Sequence, residues 1–254
     1  MYIDSHAHLD DERFDDDRDE LIKSLKDKEI EIVLNPGADL QTSQKSVELA
    51  DLYDCIYAAV GCHPHDSKYM TDETLEKFRS LAKNRKVLAI GEIGLDYYYD
   101  NSDRETQKIW FRKQIILARE LDMPYIVHDR DAHGDIYQIM KEEQYSNSRG
   151  ILHCFSGSAE MAREFIKMGF MISLGGPVTF KRAKTPKLVA KEIPLEYLLI
   201  ETDSPYLTPE PFRGRRNESA YVKYVAEEIA KIKGIPVEEV REQTNINFKK
   251  LFNI

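Results

Sequence analysis

The sharpest chemical signal lies at the start of the chain, where His6-Ala7-His8 places two imidazoles two residues apart. Alternate residues of a strand project to the same side, so this pair can face one metal ion. Further ligand-type residues follow: His63 and His65 in Cys62-His63-Pro64-His65, then Glu92, His128, His153 and Asp203. His6, His8, His128, His153, Glu92 and Asp203 are more ligands than one tetrahedral ion uses, and suit two ions sharing a carboxylate. In this reading His6, His8 and Asp203 hold one ion, His128 and His153 the other, and Glu92 bridges. Imidazole and carboxylate together admit Zn²⁺, Mn²⁺ or Fe²⁺, and open positions can take Mg²⁺. Two such ions generate a nucleophile from water near neutral pH and stabilise charge in displacement at phosphorus. Asp203 is placed to accept a proton as general base. Ester, amide and phosphodiester hydrolysis all stay open on the ligands alone.

The elements that must carry these groups alternate. Eight short β-rich runs stand at Tyr2–Ser5, Glu31–Leu34, Ile56–Val60, Val87–Ile90, Tyr125–Val127, Gly150–Leu152, Phe170–Ser173 and Leu198–Ile200. Helical patterns separate them. Phe111, Ile115, Ala118 and Leu121 recur at helical spacing, with Ser102 and Glu105 as a capping box at the start. Met161, Phe165 and Met168 share a face, and Gly169 is placed to stop that helix. Pro236 fits the first turn of the last helix. Strand–helix alternation repeated eight times predicts an α/β chain, a (β/α)8 TIM barrel forming a single domain over residues 1–254. No glycine-rich dinucleotide fingerprint follows the first run, which disfavours a doubly wound sheet. The ligand candidates fall at the C-terminal ends of these strands, the face on which barrel enzymes build their sites.

Composition narrows the class. The 254 residues carry 36 basic and 45 acidic side chains, a net charge of −9, with 42% hydrophobic residues. That is a globular composition, and the acidic balance disfavours tight non-specific binding to duplex DNA while leaving nucleic acid open as a substrate. The three cysteines have no paired zinc-type spacing. With no membrane-length apolar run and no secretory leader, a cytoplasmic enzyme is expected. No obligate protein partner can be inferred.

The residues around these ligands resemble the TatD-type metal-dependent deoxyribonucleases, amidohydrolase-like barrels. Tyr2-Ile3-Asp4-Ser5-His6-Ala7-His8-Leu9-Asp10 resembles the family's opening signature, and Gly91-Glu92-Ile93-Gly94-Leu95-Asp96-Tyr97 its acidic motif. Pro124 to Ala132, around His128, and His153-Cys154-Phe155-Ser156-Gly157 resemble the later histidine motifs. Leu199 to Leu207, around Asp203, resembles the last. The resemblance implies a dinuclear site on the six ligands already named and hydrolysis of DNA, often from the 3′ end of single strands or at strand ends. Glutamate at position 92, rather than a carbamylated lysine, sets this group apart from dihydroorotase-like barrels. Ser219 stands where proline is usual, and Tyr125 where a smaller aliphatic residue is usual. A metallohydrolase of another ester or an amide, such as an aminoacyl-ester deacylase, is the competing function.

Candidate substrate contacts lie beside the ligands. His63 and His65 can hydrogen-bond a phosphate or protonate a leaving oxygen, so His63 joins Asp203 and Glu92 as a catalytic candidate. Arg130 is suited to grip a phosphate bidentately. Arg213, with Arg215 and Arg216, forms the densest basic cluster and can track a nucleic-acid backbone. Glu201 shares the side of Asp203 and is placed to touch an ion or orient a histidine. Tyr97, Tyr98 and Tyr99 can either stack a base or pack their own loop. His133 is expected to start a helix, with no catalytic role.

Overall fold

A computed structural model describes residues 1–254. Eight strands stand in one sheet in chain order: β1 (Tyr2–Asp4), β2 (Ile30–Pro36), β3 (Ile56–Val60), β4 (Val87–Asp96), β5 (Tyr125–Arg130), β6 (Gly150–Leu152), β7 (Phe170–Leu174) and β8 (Leu198–Ile200). The pairs β1–β2, β3–β4, β4–β5, β5–β6 and β7–β8 all run parallel. Helices alternate with them: α1 (Arg18–Ser24), α2 (Leu40–Leu52), α3 (Asp72–Leu81), α4 (Arg104–Glu120), α5 (His133–Glu142), α6 (Ala159–Lys167), α7 (Lys184–Glu192), α8 (Val222–Lys233) and α9 (Val237–Phe252). This is the (β/α)8 class expected from the alternation.

β1, β2 and β7 differ from their expected bounds by one or two residues, and two boundaries move by three or more. β4 runs on to Asp96 and β5 to Arg130, because Ile93, Gly94, Leu95 and Asp96 pair with Val127, His128, Asp129 and Arg130 beyond a register shift after Ile90. Glu92 and His128 therefore lie within strands rather than at their ends. The apolar run stops early, but the hydrogen-bonded ladder continues through polar residues whose side chains serve the site. The helix start at residue 104 also differs. Asp103 is the N-cap and its carboxylate accepts from the Thr106 amide, whereas Ser102 donates to the His65 carbonyl. Leu121 is the C-cap of α4, and Pro236 is the N-cap of α9 rather than a member of its first turn.

The contacts divide the chain into two compact units. The first comprises Met1–Asn35, Cys154–Ile166 and Met171–Ile254. Its interior joins Val222, Val225 and Ile229 of α8 with Phe248 of α9, all fully buried. Asn247 donates to the carbonyls of Leu195 and Leu198, at 2.8 Å each, and so ties α9 to the start of β8. The second comprises Pro36–His153 and Lys167–Phe170. Phe78, Phe111, Ile115 and Tyr125 are buried there, and Tyr125 packs edge-on against Phe170 at 4.8 Å. The large residue at position 125 is thus a packing choice. Gly169, at φ +96°, turns the chain after α6.

Candidate metal centre

In the first unit, β1 delivers Asp4 and then His6 and His8. The His6 amide lies 3.4 Å from Asp4 Oδ1, and the His8 amide donates to the Ser204 carbonyl. The Asp203 amide donates back to the His6 carbonyl, so the segment after β8 is laced to the segment after β1. The two imidazoles converge with Nε2 atoms 3.2 Å apart, and Asp203 Oδ1 stands 3.8 Å from His6 Nε2 and 3.6 Å from His8 Nε2. His6 is buried, while the His8 and Asp203 side chains keep 14% of their surface.

Asp4 fixes this corner from beneath. Its carboxylate accepts from the Thr202 amide at 2.9 Å and the Thr202 hydroxyl at 2.6 Å. Burial pushes its pKa up to about 7 despite those bonds. Asn217 adds a second tie, donating to the carbonyls of Thr202 and Tyr206 on either side of Asp203. Asp203 itself adopts φ +55°, a left-handed conformation that aspartate and asparagine tolerate better than most residues. Glu201 Oε1 accepts from the Cys154 amide at 2.7 Å, so this carboxylate anchors the residue that follows His153.

In the second unit, Glu92 on β4 is the hub. Its Oε1 lies 2.9 Å from His128 Nδ1 and 2.8 Å from His153 Nε2, and those two nitrogens are 3.4 Å apart. Glu92 is 3% exposed. His128 turns its other nitrogen to Asp96, with Nε2 and Oδ2 3.0 Å apart. The arrangement assigns Nδ1 to the Glu92 side and directs the Nε2 proton toward Asp96. His65 Nε2 approaches the same Asp96 oxygen at 3.0 Å. The other oxygen, Oδ1, accepts from the amides of Tyr98 at 3.0 Å and Tyr99 at 2.9 Å. Burial pushes the Asp96 carboxyl up, but the bonds from His128, His65 and Tyr99 together hold it well below the usual carboxylate range. Burial lowers the His128 imidazole, and the two carboxylates outweigh that and raise it.

His63 stands 3.7 Å from Glu92 Oε1 through Nε2. Its Nδ1 accepts from the His65 amide at 3.2 Å, which leaves the proton on Nε2. Burial, then the neighbouring His128, hold its pKa well below the usual histidine value. His63 is therefore a neutral N–H donor facing Glu92.

Two buried glutamines on one face of α4 hold the loops that carry these groups. Gln114 accepts from the Cys62 amide at 2.7 Å and donates to the Cys62 carbonyl at 3.1 Å, fixing the residue before His63. Gln107 does the same one face-repeat earlier for Asp96, at 2.9 and 3.2 Å. Their seven-residue spacing places them on one side of the helix.

The arginines expected to meet substrate differ in setting. The Arg130 guanidinium lies over the rings of Tyr98 and Tyr99, at 4.3 and 5.0 Å. Arg213 lies over Phe180 at 4.2 Å. Arg216 instead pairs with Asp17 and caps the Arg13 carbonyl, which makes it a structural pin. Of the three consecutive tyrosines, Tyr97 is committed: its hydroxyl donates to Asp135 at 2.6 Å, and Arg104 covers its ring. His133 begins α5 and pairs with Asp129 at 2.7 Å.

Both triads suit a divalent ion. Adjacent ligands about a tetrahedral ion with bonds of ~2.0–2.1 Å are separated by roughly 3.3 Å. The nitrogen–nitrogen separations of 3.2 and 3.4 Å match that edge. Imidazole lone pairs turned toward each other beside a carboxylate repel unless a proton or a cation lies between them. His6, His8 and Asp203 form one such group. His63, Glu92 and His128 form a further group, and His153 comes as close to Glu92 and His128, so His128, His153 and Glu92 also converge. Asp4, Asp96, Gln107, Gln114 and Asn217 received no role from sequence. Asp4 and Asp96 sit in the motifs that carry His6 and Glu92, while the backbone atoms that Gln107, Gln114 and Asn217 hold at the site are 11 to 52 residues away.

Comparison with known proteins agrees with this chemistry. A family model described as TatD related DNase matches residues 3–253. The metal-dependent hydrolase YabD of Bacillus subtilis is 52% identical over 254 residues, covering all of both chains. The metal-dependent hydrolase YcfH of Escherichia coli is 38% identical over 255 residues, covering 99% of this chain and 96% of its own. The crystal structure of YjjV, a TatD homologue from Escherichia coli, superposes with a TM-score of 0.93 at 30% identity, covering 100% of this chain and 98% of that one.

Proposed function

This chain belongs to the TatD-related DNase family of metal-dependent hydrolases, and from that premise we propose that it hydrolyses DNA phosphodiester bonds, trimming single strands from the 3′ end. The observation that carries the reading is the pair of convergent triads, His6–His8–Asp203 and Glu92–His128–His153, each within ligand spacing. We assign one divalent ion, Mg²⁺, Mn²⁺ or Zn²⁺, to each. The bridging role of Glu92 is part of the proposal and rests on the family resemblance. When bound, such ions supply a nucleophile from water at neutral pH and stabilise charge on phosphoryl oxygens.

The chain's own groups then have distinct tasks. Asp203, on a constrained backbone with an accessible carboxylate, takes the proton from the attacking water. His63 offers its Nε2 proton as a fixed hydrogen bond to a phosphate oxygen, a donor role rather than that of a charged acid. His65, Arg130 and Arg213 contact the strand beyond the scissile bond. No helix is long and apolar enough to cross a membrane. None of the three cysteines is in a disulfide, and a reducing compartment, the cytoplasm, is part of the proposal.

The test uses single-stranded DNA labelled at its 5′ end, incubated with Mg²⁺ or Mn²⁺ beside the Asp203→Asn variant. A ladder of shortening products that vanishes in the variant supports the proposal. Immediate release of the labelled nucleotide reverses the polarity. Intact DNA with metal-loaded protein transfers the site to another ester or an amide bond.

A further inference from the structure

Tyr98 and Tyr99 are 59% and 54% exposed, against a Tyr97 that is tied down by Asp135 and Arg104. The two exposed rings meet edge to face at 4.8 Å, and Arg130 lies across both. Exposed aromatic side chains normally lose considerable freedom when they bind something. Here the backbone beneath them is already fixed, because one oxygen of the buried Asp96 accepts from both amides. The other oxygen of the same carboxylate meets His65 and His128. A chain of rings leads outward from the centre: His128 to His65 at 6.4 Å between centroids, then His65 to Tyr99 at 5.3 Å.

We propose that Tyr98, Tyr99 and Arg130 form a stacking platform for an unpaired nucleobase of the substrate strand, about one or two nucleotides from the scissile phosphate. This deepens the nuclease reading and rests on it. Three features point to a base on a single strand. A nucleobase offers the π-face that two aromatic rings and a guanidinium recognise together. A base paired in a duplex has both faces stacked and is not available. The guanidinium also supplies positive charge to the neighbouring phosphate on a chain whose net charge is −9.

Stacking of this kind predicts little sequence preference, since every base has a π-face. The test is a double-mutant cycle on binding and cleavage. Short single-stranded oligonucleotides carry one abasic position, moved stepwise from the 3′ end, and are measured by fluorescence anisotropy and by cleavage with Mn²⁺. The proteins are the wild type, Tyr99→Leu and Tyr98→Leu. For the wild type, one abasic position weakens binding roughly 5-fold or more. For Tyr99→Leu on the intact oligonucleotide the same loss appears, and adding the abasic site at that position weakens it no further. Tyr99→Phe, which keeps the ring, restores the wild-type pattern. Losses that multiply at every position overturn the platform, even if DNA is cleaved. Coupled losses in binding without cleavage keep the platform and overturn the nuclease reading.

Discussion

Asp96 and His128 face each other with Oδ2 and Nε2 3.0 Å apart, and that contact decides which nitrogen of His128 is left for a metal. The imidazole lies between two carboxylates. Donation from Nε2 to Asp96 leaves the Nδ1 lone pair beside Glu92 and His153. Asp96 is thus placed to position a candidate ligand, His128, through its other ring nitrogen.

Asp96→Asn is expected to weaken Mn²⁺ binding at the Glu92 cluster by about 10- to 100-fold, the usual effect of losing such a partner. Isothermal titration on the metal-free protein resolves this, because the His6–His8–Asp203 affinity stays near its wild-type value. An unchanged affinity at both clusters would show that the contact does not orient His128.

Asp203→Asn keeps a residue that accepts a left-handed backbone and removes the base. The expected result is a fall in kcat of roughly 100-fold or more with little change in thermal stability. Steady-state hydrolysis and thermal melts decide between this and a merely structural role, which would lower Tm.

Gly94 lies on β4 at φ +147°, and a Cβ there would stand 2.0 Å from the His128 carbonyl oxygen. Gly94→Ala forces the β4–β5 ladder apart next to a ligand, so it is expected to destabilise the protein by about 2 kcal/mol or more. Urea denaturation measures it. A neutral substitution would contradict the close approach of the two strands.

The His133–Asp129 pair gives a pH dependence outside the centre. The hydrogen bond that His133 donates to the Asp129 carboxylate raises the His133 pKa in the folded chain. A raised histidine stabilises fully below its unfolded value of 6.5 and loses that contribution as pH rises through the folded value. The wild type is therefore expected to exceed His133→Gln in Tm by more at pH 5.5 than at pH 9. Parallel melting curves across that range would refute the pair's contribution.

The strand–helix alternation was readable in sequence, and the six candidate ligands could be named there, because each has a local signature: a short β-branched run, a histidine pair, a motif around an acid. The extension of β4 through Gly91–Asp96 was not, because its ladder with β5 is set by partners more than thirty residues away rather than by apolar residues. Gln114 pairs with backbone atoms of Cys62, 52 residues away, and Gln107 with those of Asp96, 11 residues away, so neither role has a local signature. Distance also hid Asp4, which looks like part of a histidine motif until Thr202, 198 residues on, is seen to bind it. Ser102 looks like a helix cap by composition, but the adjacent Asp103 competes for the Thr106 amide and wins it with a charged acceptor. Tyr98 and Tyr99 were separable from Tyr97 only by what each ring touches.

The central claim is that each of two residue triads holds an ion. A crystal soaked in Mn²⁺ and measured for anomalous scattering tests it most directly. The account predicts one peak bound by His6, His8 and Asp203 and a second bound by Glu92, His128 and His153, the second through Nδ1 of His128. A protein that takes up Mn²⁺ at neither triad, or that binds a single ion through other residues, would contradict it.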